Sequence, residues 1–113
     1  MDFSLSEEQR ALQETARRFV GEQLVDVARE MEETDSAVPA DVRKRMAEMG
    51  FLGINVSEEY GGIGLGNLEA ILVIEEFAKI STALAFPIFE SCVGPVKAIE
   101  HFANEDLRQR VLP

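Results

Sequence analysis

The stretch NLEAILVIEEFAKI, Asn67 to Ile80, limits what this chain can fold into more than any other segment. Its apolar residues Leu68, Ile71, Leu72, Val73, Ile74, Phe77 and Ile80 fall almost all round a helix, with Glu75 and Glu76 as its polar break. A helix that is apolar on several sides must be enclosed on several sides. No segment alternates apolar and polar residues over any length, so strands cannot enclose it. Other helices have to.

The sequence supplies them. SLSEEQ opens a first helix: Ser6 caps it, Glu7 and Glu8 suit the positive end of its dipole, and Gln9 completes a capping box. Leu12, Ala16, Phe19, Val20, Leu24, Val27 and Met31 then form one stripe in steps of three and four. Gly21, within this helix, marks a bend or a close helix contact. A short second helix has Pro39 in its first turn and Val42, Met46 and Met49 along one side; Gly50 ends it. FLGINVS is an irregular link whose apolar residues tuck into the core. Asn67 caps the central helix. After a cap or turn at Ser81-Thr82, ALAFPIFESCVGPVKAIEHF reads as a further helix, apolar at Ala85, Phe89, Cys92, Val93, Val96 and Ile99. Pro87 fits its first turn, and Pro95, after Gly94, kinks or divides it. Asn104 to Asp106 cap a last short helix, LRQRVL. The expectation is an all-α helical bundle of about five helices, with residues 1–113 forming one domain and short connections making most neighbours antiparallel.

Composition narrows the function classes. The net charge is −10, which leaves no basic footprint for nucleic acid. The clusters Arg17-Arg18 and Arg43-Lys44-Arg45 sit among acids on helical patterns and read as solvated faces. A lone cysteine, Cys92, gives no internal disulfide or thiolate cluster and, in an apolar run, reads as a buried inert thiol. His101 is the only histidine and has no partner at metal-ligand spacing. The start MDFSLSEEQR is polar and acidic, unlike a signal peptide, and no apolar run reaches the ~20 residues of a membrane span. A soluble, cytoplasmic protein with no membrane partner is expected.

The glycine-rich EYGGIGLG, Glu59 to Gly66, holds four of the eight glycines. A dinucleotide loop needs G-x-G-x-x-G between a strand and a helix; here Gly62, Gly64 and Gly66 give G-x-G-x-G with no strand before them. A structural turn is expected instead. Gly61-Gly62 allow a tight reversal at positive φ, Gly64 and Gly66 let backbone approach backbone, and Tyr60 anchors the loop through a hydrogen-bonded hydroxyl.

The run GFLGINVSEEYGGIGLGNLEAILVIEEFAK, Gly50 to Lys79, resembles the N-terminal helical domain of the acyl-CoA dehydrogenases. The shared features are the Gly50–Gly53 link, the acidic-Tyr-Gly-Gly-x-Gly turn at Glu59–Gly64, and Glu75-Glu76 with Ala78 in the helix that follows. DFSLSEEQRALQETARRFV is similar to the family's opening helix, and NEDLRQRVLP to the turn and basic helix that close this domain.

The resemblance implies a part of an oligomeric flavoprotein of fatty acid metabolism. Such enzymes oxidise an acyl-CoA to the 2,3-enoyl-CoA, with a glutamate base taking a proton and FAD a hydride. It also implies that a β-domain and a second helical bundle, beyond these residues, hold FAD and supply the base. No catalytic, cofactor-binding or metal residue is then expected here, and the chain alone is expected to be inactive. The expected contribution is substrate-binding: Ala85, Phe86, Phe89, Glu90 and Val93 match the segment that lines one side of the acyl-chain pocket. By helical spacing Ala85, Phe89 and Val93 share a face, with Phe86 one step round and Glu90 beside it. The same residues fit an ordinary bundle core equally well. The alternative to an enzyme domain is a stand-alone assembly module that pairs with a flavin-carrying subunit.

Overall fold

A computed structural model describes all of residues 1–113, and the chain is helical with no strand. Helix α1 spans Glu7–Gln23, α2 Val25–Thr34, α3 Ala40–Glu48, α4 Asn67–Ala78, α5 Thr82–Ile88, α6 Pro95–Phe102 and α7 Glu105–Val111. A 3₁₀ turn at Glu58–Tyr60 precedes the glycines, and a π-helical turn at Phe89–Val93 joins α5 to α6. These seven helices are the five expected ones with two of them broken. The first breaks at Leu24, and the fourth at Gly94, where Pro95 starts a new helix.

The N-terminal capping box forms as expected. The Ser6 hydroxyl accepts from the Gln9 N–H at 3.1 Å, and the Gln9 side chain accepts from the Ser6 N–H at 2.9 Å. The apolar stripe also reaches the core through Ala16, Phe19, Val20, Leu24 and Met31. The bend lies at Leu24 and not at Gly21, which has open space on its Cβ side and no close helix contact. Leu24 is fully buried, so the break keeps the stripe pointed inward as the helix turns round the core.

Helix α4 packs between α1 and α5. Its Phe77 meets Phe19 and Phe51 in a cluster with ring centroids 5.4 to 6.0 Å apart. Such aromatic pairs add about 0.5–1.5 kcal/mol each beyond the area they bury. The link after α3 delivers Phe51, Ile54 and Val56 to the interior, as its composition suggested.

Several expectations change. Met49 is exposed. Pro39 stands at the N-cap of α3, one residue before its first turn. Gly66 caps α4 in place of Asn67, because the Glu69 carboxylate reaches back to the Gly66 N–H at 3.0 Å. Pro87 lies beyond the first turn of α5, inside the helix. Taken through the π turn, Thr82–Phe102 is long and apolar enough by length and composition to cross a membrane, yet Leu84, Ala85, Ile88 and Cys92 on it are spent on the core.

Glu76, read as part of the polar break of α4, is only 3% exposed. Arg17 on α1 grips it with two hydrogen bonds of 3.1 and 3.3 Å, and Lys79 adds one of 2.9 Å. Burial pushes this carboxyl up, but the bonds from Arg17 and Lys79 outweigh it and hold the group below the ordinary glutamate range.

Candidate functional site: an aromatic edge on the fifth helix

The five expected pocket residues lie where α5 runs into the π turn. Ser81 starts α5 by accepting from the Leu84 N–H at 3.3 Å. Leu84, Ala85 and Ile88 then face the core. The Pro95 ring cannot continue a regular helix, since it would meet the carbonyl four residues back. The turn before it widens, and the Gly94 N–H bonds the Phe89 carbonyl at 2.8 Å across five residues.

The five residues divide between core and surface. Ala85 is 4% exposed and belongs to the core, whereas Phe89 is 42% exposed. Val93 is half-buried and packs on the core. Glu90 faces solvent. The exposed pair is Phe86, 52% exposed, with Phe89; their ring centroids are 5.5 Å apart at an interplanar angle of 42°. Regular helical spacing placed Ala85, Phe89 and Val93 together; Phe89 keeps its α-helical bond to the Ala85 carbonyl, and the π turn after it shifts Val93 out of that register. The Phe89 ring also lies over Gly94, where an added Cβ would come within 3.1 Å of it. A side chain there would have to shift the ring by a few tenths of an ångström.

Helix α4 adds further exposed apolar side chains. Leu68 and Ile71 are uncovered, as are Ile63 and Leu65 in the glycine turn before it. The sequence signal was the all-round apolar pattern, which exceeds what a small bundle can enclose.

Two of the more enclosed acids, Glu76 and Glu100, are held as anions by their partners. Glu76 is clamped as described. Burial pushes the Glu100 carboxyl up, but hydrogen bonds from Lys97 and from Ser57 overcome this and set it at about 2. A carboxylate so strongly held as the anion is a weak base. No group of three or more His, Cys, Asp or Glu side chains is placed to hold a metal. His101 is exposed on α6. Cys92 is fully buried, and its thiol reaches the Phe51 carbonyl at 3.5 Å.

The glycine turn does not fit a flavin or nucleotide phosphate. Ile63, Gly64 and Leu65 donate backbone hydrogen bonds of 2.9 Å to the carbonyls of Gly53, Val56 and Ile54. A Cβ on Gly62 would stand 2.1 Å from the Val56 carbonyl oxygen, so the loop lies flat on its own chain. Close approach thus falls to Gly62, and positive φ to Gly61 and Gly64, a different division from the one expected. The N-terminus of α4, where an anion would sit, already holds the Glu69 carboxylate. Tyr60 anchors the turn as expected, buried and donating its hydroxyl to Glu105 at 2.9 Å.

Fold and site together define a helical lobe that presents an apolar edge beside a glycine turn packed on its own chain. The model of the family described as acyl-CoA dehydrogenase, N-terminal domain, matches residues 6–113, and the chain belongs to that family as its N-terminal domain. Acryloyl-CoA reductase (NADH) of Anaerotignum propionicum is 36% identical over 100% of this chain and 28% of its own length. Glutaryl-CoA dehydrogenase of Desulfococcus multivorans is 34% identical over 100% of this chain and 30% of its own length. A solved chain from work on the electron transferring flavoprotein of Acidaminococcus fermentans superposes with a TM-score of 0.91 at 30% identity, over 99% of this chain and 29% of that one. The chain therefore spans less than a third of the length of these relatives.

Proposed function

We propose that this chain forms one wall of the acyl-chain pocket in an FAD-dependent acyl-CoA dehydrogenase, which oxidises an acyl-CoA to the 2,3-enoyl-CoA, and that it does not catalyse alone. The observation that carries this reading is the exposed Phe86–Phe89 pair on a chain of this family's N-terminal domain. Two phenyl rings side by side in water are costly unless something apolar covers them, and an acyl chain against a rigid aromatic wall is selected by methylene-scale fit. Ala85 and Val93 support the rings from behind, and Glu90 marks the polar rim. In this reading the flavin seat and the base belong to other domains of the same protein or to a partner subunit, and the glycine turn, packed on its own chain, supplies no phosphate site. The complete enzyme is a homo-oligomer in this reading.

The test is a chimera in which residues 1–113 replace the matching segment of the Desulfococcus multivorans relative. Phe86→Ala with Phe89→Ala should shift kcat/KM toward longer acyl-CoAs by roughly tenfold with flavin content unchanged. An unchanged acyl preference would remove these residues from the pocket.

A further inference from the structure

We propose that α6 and α7 form a hinged hairpin that opens from the bundle as one unit, pivoting at Gly94-Pro95 and held shut by side-chain latches to the glycine turn. The observation behind this is how differently the two ends of the chain are attached. Helices α1 to α5 each place at least one buried residue in the interior; α6 and α7 place none. Their apolar side chains Val96, Ile99, Leu107 and Leu112 are only half-buried, and Phe102 is almost fully exposed.

Polar contacts do the holding. Glu100 accepts from both the backbone N–H and the hydroxyl of Ser57, at 3.0 and 2.7 Å. Lys97 bridges Glu100 and the Asn55 carbonyl. Tyr60 donates to Glu105 at 2.9 Å. All three latches end on the segment 55–60, just before the glycines. A cleft of about 370 Å³ is lined by Val96, Val111 and Leu112 together with Leu52, Val56 and Ile63. Side chains lining such a gap lose their dispersion partners.

The hairpin is also bonded within itself. Arg108 on α7 reaches the His101 carbonyl of α6 at 3.5 Å, while the Asn104 cap on the Leu107 N–H at 2.9 Å and the Arg108–Glu105 pair at 3.6 Å hold α7 together. At the other end, Pro95 has no N–H to tie α6 to the π turn. A unit joined within and weakly joined to its surroundings opens cooperatively at lower cost than the whole molecule. Opening would turn the apolar cleft into an open groove beside the glycine turn.

Native-state hydrogen exchange on the 113-residue chain tests this, and does not depend on the pocket reading. The slowest amides of α6 and α7 should exchange at least tenfold faster than those of Val73 and Phe77. The double variant Tyr60→Phe with Glu100→Gln should speed the hairpin amides a further tenfold or more while leaving α4 within twofold. Equal protection of hairpin and core in the native protein, or an acceleration spread evenly over all helices in the variant, would overturn the proposal.

Discussion

Gly61 and Gly62 stand side by side and are constrained by different physics. Gly61 has φ of 88° with nothing near its Cβ position, so alanine there meets only the backbone penalty of the left-handed region, about 1–2 kcal/mol. Gly62 has an ordinary φ, but a Cβ would collide with the Val56 carbonyl, which cannot move without breaking the turn. Gly62→Ala should therefore cost more than about 3 kcal/mol and Gly61→Ala distinctly less, as read from urea midpoints. Equal midpoints would contradict the packed-loop reading. The sequence marked these glycines as a turn but not which constraint each obeys, since Val56 is brought in by the fold. Glu76 teaches the same lesson. Within its own helix it looks like a solvent-facing acid, and its main partner, Arg17, stands 59 residues away. Phe86 and Phe89 were legible as bulky and apolar, whereas their exposure and the burial of Ala85 depend on which side of the helix the rest of the bundle covers.

Among the elements, the helices were legible from caps and periodicity wherever the signal is local. Ser6 with Gln9 and Asn104 with Leu107 are contacts within one turn, and each forms. The breaks were less visible. Leu24 carries no breaker chemistry, and its bend follows from where the core lies. Pro95 announced a division, but not that the preceding turn would widen to bridge it. The contact between α6 and the link at Ser57 was silent in the sequence, and it makes a pH prediction. Glu100 is lowered from its ordinary 4.5 to about 2, so its latch stabilises the fold fully above the ordinary value and loses that contribution as pH falls through the folded one. The native chain should accordingly be more stable than Glu100→Gln at pH 7, with the difference shrinking between about pH 5 and 2. Urea titrations of both proteins across that range measure it. A difference independent of pH would show that the charge on Glu100 plays no part.

The whole molecule is a slab of 41 × 39 × 21 Å. Its radius of gyration of 14.6 Å exceeds the roughly 13 Å of a compact domain this long. A flat bundle has too little interior for its apolar residues, which explains why Leu68, Ile71, Phe86 and Phe89 stay uncovered on a chain with a well-formed core. The excess apolar surface and the packed glycine turn are the features on which the proposed pocket-wall role rests. The most direct measurement is to purify the 113-residue chain, supply FAD, an acyl-CoA and an artificial electron acceptor, and record flavin retention and enoyl-CoA formation. The expected result is a folded helical protein that retains no stoichiometric flavin and forms no enoyl-CoA. Bound flavin at one per chain with sustained turnover would contradict the assignment of this lobe as wall and not catalyst.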